Sequence, residues 1–170
     1  MAQTQRQQGV KAGILIRFLA SCYDIVILLG VAMLLVGLPI TLSKELFGAT
    51  PPQWIQYLLF LCVSYAYFVG FWVKGGSTTG MRPWKLRVAM SETGDPITLL
   101  AASVRYTVLM ITWLALGMTL VYMMYRDTNH FLFFLAAGIP ALSLIVMAIS
   151  SARLPLHDII SGTGIFRIKG

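Results

Sequence analysis

Four charged residues stand among apolar neighbours, and their types suggest ion or proton chemistry. Arg17 and Asp24 lie in the apolar run that starts at Ile14, Arg105 lies in a later one, and Asp158 follows His157 near the end of the chain. A charge at the centre of a membrane helix costs about 2.5 to 3.5 kcal/mol on insertion scales. Such residues persist where they pair with one another, hold an ion or proton, or fix the packing of helices. Arg17 can also be read as a near-surface side chain that snorkels to the interface. Arg105 can be read as a purely structural ion-pair member.

Depth separates the four. With the bilayer boundary taken near Ile14, the helical rise of ~1.5 Å per residue puts Arg17 within about 5 Å of it. Asp24 then lies roughly 10 Å deeper, near the bilayer centre, and Arg105 about 9 to 12 Å deep on its own helix. Seven residues separate Arg17 from Asp24, so they share a helix face. Pairing along one helix favours spacings of three or four, so each should find its partner elsewhere. The expected pairs are Asp24 with Arg105 and Arg17 with Asp158. The alternative is contact between Asp24 and Arg17 through water or a polar side chain.

The elements that must position these residues are membrane helices. The chain of 170 residues is 58% hydrophobic and 11% charged, with a mean hydropathy of +0.79. Soluble domains carry about 25% charged residues, so this composition indicates an integral membrane protein with little room for a soluble domain. The net charge of +7 and pI near 9.7 do not indicate a nucleic-acid partner, because the basic residues lie between the apolar runs. There they act as topological signals, and those near the surface can meet anionic headgroups.

An all-α membrane protein of four transmembrane helices follows. Residues 1–13 form a polar arm, and residues 14–170 form one membrane domain. Its spans lie at about 14–38, 54–73, 99–122 and 131–150, with a polar tail at 151–170. Gly37 and Pro39 should end the first span, since proline opposes helix continuation. Trp54 and Tyr57 at one end of the second, and Phe71 and Trp72 at the other, resemble an aromatic belt. The polar stretch from Lys74 to about Pro96 reads as a surface loop containing a small β-hairpin. Outside the spans, nine Lys and Arg fall on one side and two on the other, which predicts cytoplasmic termini. The first run is long, charged and without a small-x-small end, so it should be retained rather than cleaved.

Nothing in the chain favours an enzyme or a cofactor. No nucleophile stands in a recognisable elbow, and His130 is expected on the opposite side from His157. The loop from Gly76 to Gly80 lacks the Lys-Ser/Thr ending of a phosphate-binding loop. Cys22 and Cys62 lie in apolar runs and form no metal-ligand pattern. The nine Met read as ordinary packing, and no small-xxx-small pair marks a dimer face.

Three segments together resemble the RDD family of bacterial membrane proteins, named for one arginine and two aspartates. Arg17 and Asp24 match the family's charges in the first helix. Gly76, Thr78 and Gly80, followed by Arg82, Leu86–Val88, Gly94–Pro96 and Arg105, look like its Gly-x-Thr-x-Gly loop and sequel. His157-Asp158 with Gly162-Thr163 resembles the closing motif, so Asp158 takes the place of the second aspartate. The chain departs from the pattern at Thr78-Thr79-Gly80-Met81, where relatives commonly read Thr-Pro-Gly-Lys, so any lysine contact there is missing.

The resemblance implies a multi-pass protein of the bacterial cytoplasmic membrane. It also suggests transport of an ion or small ligand, with cation/proton exchange proposed for some members. Asp24 would then bind a monovalent cation or proton, and Arg17, Arg105 and Asp158 would form a gating network. Four spans enclose little cavity, so a homo-oligomer or a partner membrane protein would complete such a pathway. The competing reading is a non-catalytic accessory or assembly factor whose buried charges fix helix packing.

Overall fold

A computed structural model describes residues 10–125, 130–150 and 154–168. In chain order the elements are strand β1 (Val10–Lys11), helix α1 (Ile14–Ala32), a π-helical turn (Met33–Gly37), α2 (Leu38–Phe47) and α3 (Gln53–Gly75). A 3-10 turn (Arg82–Trp84), β2 (Leu86–Met90), α4 (Leu99–Tyr125), α5 (His130–Ile149), α6 (Leu156–Ile160) and β3 (Thr163–Arg167) complete the chain. Among the described residues, four helices are long and apolar enough to cross a membrane: Ile14–Phe47, Gln53–Gly75, Leu99–Tyr125 and Phe131–Ile149.

The first of these corrects an expectation. The helix does not stop at Gly37–Pro39 but continues to Phe47, giving 34 residues and a length of about 51 Å. Proline lacks an N–H, and its ring collides with the carbonyl four residues earlier, here Leu35. The wider π turn contains that carbonyl and ends two residues before Pro39, so the chain accommodates the ring without ending the helix. The helix ends at Gly48, whose φ of +69° is left-handed and whose N–H bonds to the Lys44 carbonyl. The second helix begins after Pro51-Pro52 and ends in the same way, at Gly76.

The polar segments are also not separate pieces. The expected hairpin between the second and third spans is a strand of a three-stranded antiparallel sheet ordered β1-β3-β2. All five β2 residues pair with β3, from Leu86 opposite Arg167 to Met90 opposite Thr163. Val10 and Lys11, from the stretch read as a free polar arm, pair with Arg167 and Phe166. A hairpin-like return survives as one bridge, Ala89 with Pro96, with bonds from the Met90 N–H to the Asp95 carbonyl and from the Gly94 N–H to the Met90 carbonyl. The tail thus supplies the central strand, and its pairing was invisible because β3 meets a segment about 75 residues earlier.

The sheet and its flanking loops cap one end of the helices, and most of the water-excluded packing lies there. Val88 is fully buried, Leu86 and Val69 nearly so, against Trp72, Ala102 and Ile165. Away from the cap the helices present Leu, Phe and Met outward, as lipid-facing surfaces do. Helix α4 packs against α3, α5 and α6, and α1 packs against α3.

Candidate functional site

The cap is fastened to the helices by two buried carboxylates. Asp24 lies on the face of α1 that also buries Ala20 and Leu28. Its Oδ1 accepts hydrogen bonds from the Tyr67 hydroxyl and the Gly80 N–H, each at 2.8 Å. Its Oδ2 accepts one from the Thr78 hydroxyl at 2.5 Å. Among the described residues no Lys, Arg or His nitrogen lies within 4.0 Å of it. The expected Asp24–Arg105 pair is therefore wrong. The polar loop between α3 and β2 folds back against α1 and brings its own donors to the carboxylate.

That approach requires a glycine. A Cβ on Gly80 would come within 2.6 Å of the Ala20 carbonyl oxygen and 2.8 Å of the Asp24 backbone nitrogen. Both belong to helix backbone and cannot yield as a flexible side chain would. Gly80→Ala is therefore expected to release the loop from α1. A cysteine placed at Ser77 should then react with a water-soluble maleimide several times faster than in the otherwise wild-type protein.

Asp158 is the second fastening, fully buried at the N-terminal turn of α6. Its Oδ1 takes a short hydrogen bond from Arg105 Nη1, and its Oδ2 faces Arg17 Nη1 at 3.4 Å. The pairing of Arg17 with Asp158 agrees with expectation; the partnership with Arg105 does not. Arg105 is 2% exposed and also donates to the Thr163 hydroxyl at 2.7 Å, which in turn contacts Ser161 at 2.7 Å. Its guanidinium lies 5.0 Å from the centre of the Trp72 ring, within cation–π range. Arg17 reaches the β3 carbonyl of Ile165 at 3.3 Å. Helices α1 and α4 thus grip the same carboxylate, and each also grips β3.

The motif residues divide between these two clusters. Thr78 and Gly80 serve Asp24, and Thr163 serves Arg105. Gly76 and Gly162 supply left-handed turns, at φ +67° and +63°, that aim the loop and start β3. His157 adjoins the second cluster, with Nε2 3.6 Å from Asp158 Oδ1, too long for a hydrogen bond. Tyr67, Trp72 and Ser161 were missed. Only the hydroxyl of Tyr67, set inside an apolar span, could have signalled a partner for Asp24. Among the described residues no group of His, Cys, Asp and Glu could hold a metal ion.

Burial pushes the His157 imidazole down from its usual 6.5 to about 4, and the positive charge of Arg105 adds to this against the opposing pull of Asp158. Its folded-state value lies below its unfolded one, so the unfolded chain takes up the proton first as pH falls. The stability this neutral imidazole allows is complete above pH 6.5 and is lost as pH falls towards 4. Between pH 6.5 and 5, before most carboxylates titrate, the thermal midpoint in detergent should drop. His157→Phe should flatten that drop, as a thermal-melt series would read.

A sequence model of the RDD family matches residues 11–162, which takes in both carboxylates and both arginines. The chain belongs to the RDD family. No curated protein and no solved structure matches it. In this RDD protein Arg17 meets Asp158 directly, whereas Asp24 stands apart among hydroxyl and amide donors. With four helices able to cross a bilayer and membership of this family, it is a multi-pass integral membrane protein.

Proposed function

We propose that this RDD protein is a non-catalytic membrane component whose buried charges latch a rigid polar cap to the ends of its helices. Its role would be to present that cap to a partner membrane protein or to the membrane surface. The observation that carries this reading is the completeness of the latch. Every oxygen of both carboxylates is engaged by a donor from a different segment of the same chain.

Depth supports it. A helix of 34 residues exceeds the ~30 Å hydrocarbon layer by about 20 Å. The exposed Lys44 lies twenty residues beyond Asp24, about 30 Å along the helix. A layer starting at Asp24 rather than at Ile14 would leave Arg17 and the cap in the interfacial zone. Asp24 would then mark the boundary, not the bilayer centre. By the distribution of Lys and Arg, the cap and both termini face the cytoplasm, in a bacterial inner membrane.

Ion or proton exchange is the second reading. It is favoured by one observation: Asp24 is 2% exposed and has no cation beside it among the described residues. A monovalent cation or proton would neutralise it, with a homo-oligomer completing the pathway. Proteoliposomes separate the two. Wild-type protein that drives no sodium, potassium or proton flux between pH 6 and 8, and that co-purifies with a stoichiometric membrane partner, supports the latch. Flux that Asp24→Asn abolishes while the melting curve is retained overturns it.

A further inference from the structure

We propose that the turn from Arg82 to Lys85 is a binding site for the phosphate headgroup of an anionic phospholipid. The inference does not depend on whether Asp24 acts as a latch or as an ion site.

The turn is held rigidly. Met81 and Leu86 on either side are 6% and 1% exposed. Both the Trp84 and the Leu86 N–H bond to the Met81 carbonyl, and the Lys85 N–H bonds to that of Arg82. The Lys85 carbonyl accepts from Ile168, which ties the turn to the end of β3. Lys85 itself has φ 53° and ψ 41°, a left-handed conformation that L side chains rarely adopt. Strain of this kind persists where surrounding structure imposes it, and it clusters at ligand-binding sites. Here it lets Leu86 enter the core while Arg82 and Lys85 both remain exposed.

The turn also sits where a headgroup would be. Gly80, just before it, abuts α1 between Ala20 and Asp24. Trp84 meets Tyr23 edge-on at 6.2 Å, and the Arg82 guanidinium lies 5.6 Å from the Phe71 ring of α3. Tyr23 is 51% exposed and Leu19, one turn away, 42%, so the neighbouring helix face is apolar and open to lipid. Two cations and an indole beside such a face match the composition of the headgroup boundary. Among the described residues, Glu92 and Asp95 lie beyond the far end of β2, about 13 Å or more along the strand. Asp24, beside Gly80, is taken up by Tyr67, Thr78 and Gly80. No carboxylate oxygen among the described residues lies within 4.0 Å of a side-chain nitrogen of Arg82 or Lys85, so both cations can receive a phosphate.

Delipidated protein in detergent, offered equal amounts of phosphatidylglycerol and phosphatidylcholine with identical chains, tests this by native mass spectrometry of retained lipid. Wild type should retain phosphatidylglycerol preferentially. Arg82→Gln and Lys85→Gln should each lower that preference roughly five-fold, the effect expected for one basic residue at the surface. Arg82→Lys should restore most of it, and Lys74→Gln, exposed at the same end of α3, should leave it nearly intact. Unchanged melting of the glutamine variants would confirm their fold. Equal retention of both lipids by wild type overturns the proposal. So does a Lys74→Gln loss as large as the others, which would mean diffuse charge. Displacement of phosphatidylglycerol by excess inorganic phosphate also overturns it, assigning the site to a soluble anion.

Discussion

Replacing Arg105 by leucine is expected to lower the unfolding free energy by about 3–5 kcal/mol, the usual cost of removing one partner from a buried ion pair. The cost comes from what remains. Asp158 would stay fully buried with only Arg17, at 3.4 Å, to compensate its charge. Thr163 would also lose its donor, and Trp72 the guanidinium over its ring. Arg17→Leu should cost clearly less, because Arg17 keeps 11% side-chain exposure and its loss leaves the Arg105–Asp158 bond in place. Denaturant titration in micelles, followed by far-ultraviolet circular dichroism, would rank the two. A larger loss for Arg17→Leu would mean that Asp158 relies on α1 rather than on α4. Replacing Arg17, Arg105 and Asp158 together by apolar residues of similar size should cost less than Arg105→Leu alone, since no charge is stranded.

Asp24→Leu should be nearly as damaging, for a different reason. No ion pair breaks, but the Tyr67 hydroxyl, the Thr78 hydroxyl and the Gly80 N–H all lose their acceptor inside the protein. An unsatisfied buried donor costs about 1–3 kcal/mol, so the total should reach about 3 kcal/mol or more. The loop from Gly76 to Gly80 should come away from α1, and the Ser77 cysteine probe should react as it does in Gly80→Ala. Asp24→Asn should be far milder. Its amide oxygen can still accept from Tyr67 and Gly80, and the Thr78 hydroxyl can turn to accept from the new NH2 group. Equal damage from Asn and Leu would show that the charge, rather than the acceptor geometry, holds the loop. Because it removes charge while keeping shape, Asp24→Asn is also the right variant for the flux measurement.

The membrane character, the four spanning helices and the charged residues of both clusters could be read from the sequence. Apolar runs declare themselves by composition, and a charge within one is conspicuous whatever it touches. The end of the first helix could not be read, because Pro39 ordinarily stops a helix and only the π turn before it accommodates the ring. The depth of Asp24 rested on a bilayer boundary taken near Ile14, and a helix of 34 residues is long enough to admit other boundaries.

Pairing was the other limit. Spacing along α1 showed that Arg17 and Asp24 must look elsewhere, but not where, because their partners come from α3, the loop before β2 and the tail. Tertiary structure alone decided that Arg105 passes over Asp24 for Asp158, and that Asp24 is met by a tyrosine, a threonine and a backbone amide. A lone amide and two hydroxyls carry no charge for a sequence pattern to register. They can satisfy a carboxylate only once the loop has folded back against the helix, and Gly80 is what lets it come that close.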